Sequence, residues 1–190
     1  MPMELITGHA GENHISSDDD AAKYAALLGS GGYVMDNGVN FAYTVESNNL
    51  ITLAEGEAIF QGRHARTKPT ERENCVIENG TQSQNRYDLI GIMYANNSGV
   101  ESASVTVIKG TPGTTGTDPA YPTGDIEGGA TEHFMPLYRV VLNGLNVERV
   151  ERLFNIRYKF PIFLPPGTAE PTADMAPTDD IYVYFQKVNE

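Results

Sequence analysis

Residues 86–111, RYDLIGIMYANNSGVESASVTVIKGT, decide the fold class of this chain. Residues 89–94 are apolar enough to be buried on both faces of a sheet, and the later part alternates, with Val105 and Val107 separated by polar side chains. Between them, residues 96–99 (Asn-Asn-Ser-Gly) have turn chemistry, because Asn and Gly tolerate positive φ. The stretch therefore predicts a long antiparallel hairpin whose first strand is central in a sheet.

The flanking sequence predicts further short strands, spaced about 8–12 residues apart and separated by turn residues. We expect strands at residues 33–35, 41–45, 50–53, 58–65, 74–78 and 135–142, and the first two of these are expected to pair. The segment holding Val147, Val150, Leu153 and Phe154 is compatible with a short helix or a strand, and we favour a strand. This pattern predicts a mainly β protein, an antiparallel β-sandwich or barrel with an N-terminal arm and one short α-helix.

One helix is predicted to start at Ser16-Ser17, where a serine is suited to be its N-cap, and to end before Gly29, which is suited to terminate it. Three aspartates at 18–20 occupy the first turn, where the helix dipole favours negative charge. A single apolar stripe at helical spacing is formed by Ala21, Tyr24, Ala25 and Leu28. A helix of about 12 residues is marginal alone, so the stripe is expected to dock, either on its own sheet or on another copy.

The composition divides the chain into three regions: an arm and short helix at 1–32, a β core at 33–156, and a proline-rich linker with a terminal strand at 157–190. Five prolines occur between positions 161 and 177, and residues 180–188 (DIYVYFQKV) then have the character of a strand. That strand is expected to add to a sheet edge of its own or of a neighbouring subunit. Residues 110–129 predict a long loop, and loops of this length are usually functional or disordered.

Charge excludes several classes of partner. The chain has 13 basic and 25 acidic residues, a formal net charge of −12, which argues against binding nucleic acid or an anionic membrane surface.

The lone Cys75 has no intramolecular disulfide partner. No apolar run approaches the ~20 residues that span a bilayer. The opening residues lack the pattern of a secretory signal, so we expect the protein to be made in a cytosol.

His9 and His14 are the suggestive pair of histidines, separated by four residues and next to Glu12. Metal sites hold imidazoles on a rigid element with supporting carboxylates, whereas this pair lies in a glycine-rich arm. We therefore favour a structural role for both, and predict no metal and no cofactor. If subunits meet on an axis, copies of one histidine would converge there.

The carboxylates do not predict catalysis. The cluster at 18–20 is explained by a helix start, and Asp118 and Asp125 are expected to be solvated turn residues. Arg86 and Asp88 lie two apart on one strand, so we expect them to pair with each other or with a neighbouring strand. The chain lacks a Gly-x-Ser-x-Gly elbow, a His-Glu-x-x-His motif and a phosphate loop. We predict that it is not an enzyme.

A set of short motifs, each weak alone, occurs in a recognisable order across residues 4–154. They are Ile6-Thr7-Gly8, His14-Ile15-Ser16 with Asp18-Asp19, Gly32-Tyr33-Val34, Glu46-Ser47-Asn48-Asn49, Gly56, Gln61-Gly62-Arg63, Ile77-Glu78-Asn79-Gly80, Arg86-Tyr87-Asp88-Leu89-Ile90, Gly99-Val100-Glu101-Ser102, Val107-Ile108-Lys109-Gly110-Thr111-Pro112 and Met135-Pro136-Leu137-Tyr138-Arg139-Val140. In these the chain resembles tail or baseplate structural proteins of phages and prophages of Gram-positive bacteria. Residues 155–190 depart from the pattern.

The resemblance implies a structural virion protein near the receptor-binding end of a tail, assembled in the host cytoplasm and carrying no enzymatic residues. We expect a symmetric homo-oligomer, a trimer or hexamer, that contacts other tail or baseplate proteins. The candidate interface residues are His9, His14, Tyr24, Leu28, Tyr182 and Tyr184. The alternative is a carbohydrate-binding module that contacts the host surface, with Tyr121, expected to be exposed in the long loop, as the contact residue.

Overall fold

The computed structural model describes residues 15–157, so the predicted N-terminal arm, proline-rich linker and terminal strand lie outside the described residues. The described chain is mainly β. Its elements, in order, are α1 Ser17–Leu28, β1 Gly32–Met35, β2 Tyr43–Ser47, β3 Leu50–Leu53, β4 Gly56–Phe60, β5 Arg63–Thr67, β6 Glu73–Val76, β7 Asn85–Asn97, β8 Val100–Ile108, β9 Glu132–Asn143, β10 Asn146–Arg152 and β11 Ile156–Arg157.

The hairpin predicted from residues 86–111 lies at the centre of a four-stranded sheet with the order β10-β9-β7-β8. Its turn is tighter than predicted, consisting of Ser98 and Gly99 alone at φ 54° and 89°. Two residues with positive φ give a turn whose twist matches that of the flanking strands. Because β9 covers the other edge of β7, residues 89–94 are buried except for the half-buried Met93. The predicted central position is confirmed.

The predicted pairing of residues 33–35 with 41–45 is wrong. β1 pairs with β4 and β11 in a sheet of order β11-β1-β4-β5, whereas β2 pairs with β3 in a sheet of order β2-β3-β6. Asn40 and Phe41, between the two strands, both have a φ of 56°. Phe41 is buried, and its carbonyl oxygen accepts a hydrogen bond of 3.0 Å from Tyr138 Oη. This anchor carries the chain into a different sheet instead of folding it back as a hairpin.

The three sheets pack around one apolar core in a sandwich-like arrangement, which confirms the predicted fold class. Side chains from each sheet contribute to the core, among them Val34, Ile51, Leu53, Phe60, Ile90, Leu137 and Val140. The hydrophobic effect of burying these side chains supplies the main stabilisation. The predicted strand around Val147 and Val150 is confirmed as β10, and Phe154, just after it, packs edge-on against Tyr138.

The predicted pairing of Arg86 with Asp88 is also confirmed. Their side chains are 2% and 1% exposed, and two hydrogen bonds of 2.8 Å join the guanidinium to the carboxylate. Arg86 also donates to the carbonyl oxygens of Asn79 and Glu78, and Asp88 accepts from the Gly110 amide. The pair therefore holds two loops against β7.

α1 forms as predicted, and it docks on its own β core. Ser16 and Asp19 make a reciprocal capping box, and Gly29 ends the helix. Of the predicted stripe, Ala21 is buried. It packs at Gly62, where a Cβ would lie 1.9 Å from the Ala21 carbonyl oxygen. Glycine is thus what allows the helix to approach the turn between β4 and β5.

The long loop predicted at 110–129 has defined contacts along its path. Near the start of the loop, Gly113 forms a β-bridge with Asn85. Near its end, Thr123 forms a β-bridge with His133, and Ile126 is buried. Asp118, predicted to be a solvated turn residue, instead accepts two hydrogen bonds from the Arg139 guanidinium. The sequence did not show this because β9 supplies the partner from 21 residues away.

Candidate functional site

A groove of about 600 Å³ lies between α1 and the tip of the β7–β8 hairpin. The first turns of α1 form one wall, and Asn96 and Glu101 of the hairpin form the opposite wall. The loop that includes Ile126 and Glu127 closes a third side. Segments far apart in sequence therefore meet at one concave surface, which is where ligands and partners usually bind.

Arg63, at the start of β5, is the centre of the hydrogen bonding in this groove. Its Nη2 atom lies 2.6 Å from Asp18 Oδ1 and 2.7 Å from Glu101 Oε1, and its Nη1 atom donates to the Ser17 carbonyl oxygen at 3.2 Å. Its Nε atom is buried without a hydrogen-bond partner in the described chain. One arginine thus joins α1 to β8 across the groove.

Tyr94, which also lines the groove, extends this network. Its hydroxyl donates a 2.6 Å hydrogen bond to Glu101 Oε1, the same oxygen that contacts Arg63. Burial and this hydrogen bond together raise the pKa of the Tyr94 hydroxyl, so it stays protonated and donates at neutral pH. The Glu101 carboxylate is therefore held in place from two sides.

Gln61 fixes the remaining wall. It has a φ of 45° in the turn between β4 and β5, which directs its side chain toward the loop after β8. Its amide accepts from the Ile126 amide nitrogen at 2.7 Å and donates to the Gly124 carbonyl oxygen at 3.0 Å. His133 Nδ1 lies 2.9 Å from that same carbonyl oxygen. The groove is thus preorganised by side-chain contacts to the backbone.

The charge of the groove is negative. Asp18, Asp19, Glu101 and Glu127 line it together with Arg63, so four acidic groups less one basic group give a net charge of −3. Such a surface repels phosphates and other anions. Within residues 15–157 there is no group of three or more His, Cys, Asp or Glu side chains placed to hold a metal ion.

A second surface is the open edge of β2. All five of its residues are exposed, and β3 is its sole strand partner in the described chain. Tyr43 and Val45 are 42% and 45% exposed, although they lie on the same sheet face as their buried partners Leu53 and Ile51. An apolar strip of the core face thus reaches the surface next to an unpaired strand edge.

The structure places only some of the predicted interface residues. Tyr24 and Leu28 are half-buried on α1, while the neighbouring Leu27 is 65% exposed. His9, His14, Tyr182 and Tyr184 lie outside the described residues. The helix therefore presents one exposed apolar side chain that the predicted stripe did not include.

Tyr121, the predicted carbohydrate contact, is not exposed as expected. It is half-buried, and its ring lies 5.4 Å from that of Phe134 in a tilted arrangement. It is also not among the residues that line the groove. The long loop folds back on β9, and its polar composition gave no sign of this contact.

Sequence reasoning missed the residues that organise the groove, namely Gln61, Arg63, Tyr94 and Glu101. Their spacing follows no local pattern, because strand pairing and helix docking bring them together. The local signal in the sequence was Gly62, which directly follows the apolar residues 58–60 and Gln61 and favours a turn at this point.

Comparisons of the chain with protein-family models, with curated proteins and with solved structures found no significant match. Within residues 15–157, no helix has the length and apolar character needed to cross a membrane.

Proposed function

We propose that the protein is a structural virion component of a phage tail or baseplate, and that it forms a symmetric homo-oligomer, a trimer or hexamer, near the receptor-binding end. The observation that carries the proposal is the open edge of β2, with Tyr43 and Val45 exposed beside it. A strand edge with free backbone donors and acceptors and an adjoining apolar strip is suited to contacts between subunits. The motifs across residues 4–154 support the choice of a tail or baseplate.

The proposal includes assembly in the host cytoplasm, contacts with other tail or baseplate proteins, and no enzymatic activity. The net charge of −12 supports a protein that binds neither nucleic acid nor an anionic membrane. It also supports solubility at the high local concentration of an assembly.

The direct test is the mass of the full chain in solution, measured by size-exclusion chromatography with multi-angle light scattering. We expect a discrete trimer or hexamer. Val45→Asp should shift the mass toward the monomer, because it places a charge in the apolar strip. Val100→Asp is the matched control: Val100 is 70% exposed at the hairpin tip, in a different sheet from β2, and its substitution should leave the mass unchanged. A monomer at every concentration, alone and when co-expressed with the neighbouring tail proteins, would refute the proposal.

The groove supports carbohydrate binding as a second candidate function. Sugar hydroxyls are bound by planar polar side chains such as those of Asn96, Gln61 and Glu101, which line its walls. Chemical-shift titration with fragments of host wall polysaccharide should then perturb resonances of α1 and the hairpin tip. Glu127→Ala should weaken such binding, and Glu148→Ala, on the exposed part of β10, is the control. Failure of all wall polymers to shift any groove resonance would exclude this candidate.

A further inference from the structure

We infer that the loop between β5 and β6 of one copy of this chain inserts into the acidic groove of the next copy. This basic loop is residues 68–72 (Lys-Pro-Thr-Glu-Arg), and the groove is the one between α1 and the tip of the β7–β8 hairpin. The inference rests on the proposed oligomeric function and names a contact between copies in addition to that of β2.

The basic loop carries two cations that have no partner in their own chain as described. Carboxylates outnumber basic side chains by 25 to 13, so a basic side chain has many possible partners. Among those that form ion pairs are Arg63, Arg86, Lys109, Arg139 and Arg149. Lys68 and Arg72 are exposed and form no ion pair within residues 15–157. Glu71 lies between them, so two basic groups less one acidic group leave the loop with a net charge of +1.

The shape of the basic loop is fixed before it binds. Thr70 has a φ of 72°, which is unusual for a β-branched residue, and its amide donates a 3.0 Å hydrogen bond to Glu55 Oε2. The amide of Glu71 donates to the Lys68 carbonyl oxygen and closes a turn. A loop that is already ordered loses little conformational entropy when it enters a partner.

The groove offers the opposite charge in a space of suitable size. Arg63 pairs with both Asp18 and Glu101, so one cation faces two anions on these walls. Glu127, on the third wall, is exposed and forms no ion pair in the part of the chain that the structure describes. The volume of about 600 Å³ lies within the range of about 300–1,000 Å³ that is usual for ligand sites. A cationic side chain that enters the groove is therefore attracted to a net negative surface.

The positions of the two surfaces select a second copy over the same chain. Gln61, in the turn of the β4–β5 hairpin, lines the groove. The basic loop follows Thr67 at the opposite, open end of that hairpin, where Thr70 is bonded to Glu55 just before β4. Strands of five residues separate the two ends by roughly 13 Å, at about 3.3 Å per residue. Because the loop is tied to the far end, it does not reach the groove of its own chain.

The contact between copies is therefore head to tail. The groove and the basic loop are different surfaces, so each copy gives its loop to one neighbour and accepts the loop of another. Heterologous contacts of this kind close into a ring when the rotation between neighbours allows it. A ring is the arrangement that a cyclic trimer or hexamer requires.

Charge reversal in the full chain tests the inference. The single variants are Lys68→Glu and Glu127→Lys, and a double variant carries both. Sedimentation equilibrium measures the apparent dissociation constant of the oligomer for each. We expect each single substitution to raise this constant at least about tenfold, because like charges then meet in the groove. The double variant should recover most of the affinity, because opposite charges meet again.

Lys23→Glu is the matched control. Lys23 is exposed on α1 and does not line the groove, and its reversal changes the net charge of the chain by the same amount as Lys68→Glu. Single losses no larger than that of the control, or losses that add in the double variant, would overturn the inference. An oligomer that keeps its affinity in every variant would leave the proposed function standing and refute the contact between loop and groove. A chain that is monomeric without any substitution would refute both.

A second readout is the dependence on salt. The Debye length falls from about 10 Å at 0.1 M to about 3 Å at 1 M ionic strength, so attraction between exposed charges weakens over this range. Raising sodium chloride from 0.1 M to 1 M should increase the apparent dissociation constant of the unmodified chain and remove most of the difference between it and Lys68→Glu. An undiminished difference at 1 M would contradict an electrostatic contact.

Discussion

The buried pair Arg86–Asp88 provides the sharpest test of how the β core is stabilised. Both side chains are almost fully buried, and the guanidinium makes four hydrogen bonds, two to Asp88 and one each to the Asn79 and Glu78 carbonyl oxygens. Asp88→Asn removes the negative charge while keeping the size of the side chain. Arg86→Met removes the positive charge while keeping most of the length.

We expect each single substitution to lower the free energy of unfolding by about 3–5 kcal/mol, because each leaves one uncompensated charge in the interior. Asp88→Asn should lie at the lower end, since two backbone carbonyls still accept from the guanidinium. The double variant Arg86→Met/Asp88→Leu should lose less stability than the two single losses combined, because no buried charge remains.

Urea unfolding, followed by far-ultraviolet circular dichroism, measures these values for all three variants. Arg149→Met is the control, since Arg149 forms ion pairs with Glu148 and Glu151 on the exposed face of β10 and should change stability little. Additive losses in the double variant, or single losses no larger than that of the control, would refute the view that the pair is coupled and desolvated.

Three further predictions concern the docking of α1, the thiol of Cys75 and the carboxylate of Glu151 in β10. Gly62→Ala should lower the free energy of unfolding and speed hydrogen exchange of the α1 amides, because the new Cβ would clash with the helix backbone. Gly99→Ala is the control: Gly99 also has a positive φ but has open space around it, so this substitution should lower the free energy of unfolding by only about 1–2 kcal/mol. Cys75 should not react with a thiol reagent at pH 8 until the protein unfolds, because burial raises its thiol pKa to about 12. Hydrogen bonds from Arg139 and Arg149 lower the pKa of Glu151, so its stabilising contribution exists above the unfolded-state pKa and is lost as pH falls through the lowered value. The difference in melting temperature between wild type and Glu151→Gln should therefore shrink on acidification, and a constant difference would contradict this.

The sequence by itself determined the elements that depend on neighbouring residues. The capping of α1 by Ser16, the central β7–β8 hairpin and the pairing of Arg86 with Asp88 all follow from residues a few positions apart. Turn chemistry, helix capping and side-chain alternation act over such short distances, so a short stretch of sequence is enough to predict these elements.

Only the tertiary structure decided which strands pair across the sequence and which side chains meet at the surface. β1 and β2 belong to different sheets although they are neighbours in sequence, and in the groove Arg63 meets both Asp18 and Glu101. Many arrangements of the same strands satisfy the local patterns. The one adopted is selected by the total apolar area and the hydrogen bonds that the whole chain buries at once, which no short stretch encodes.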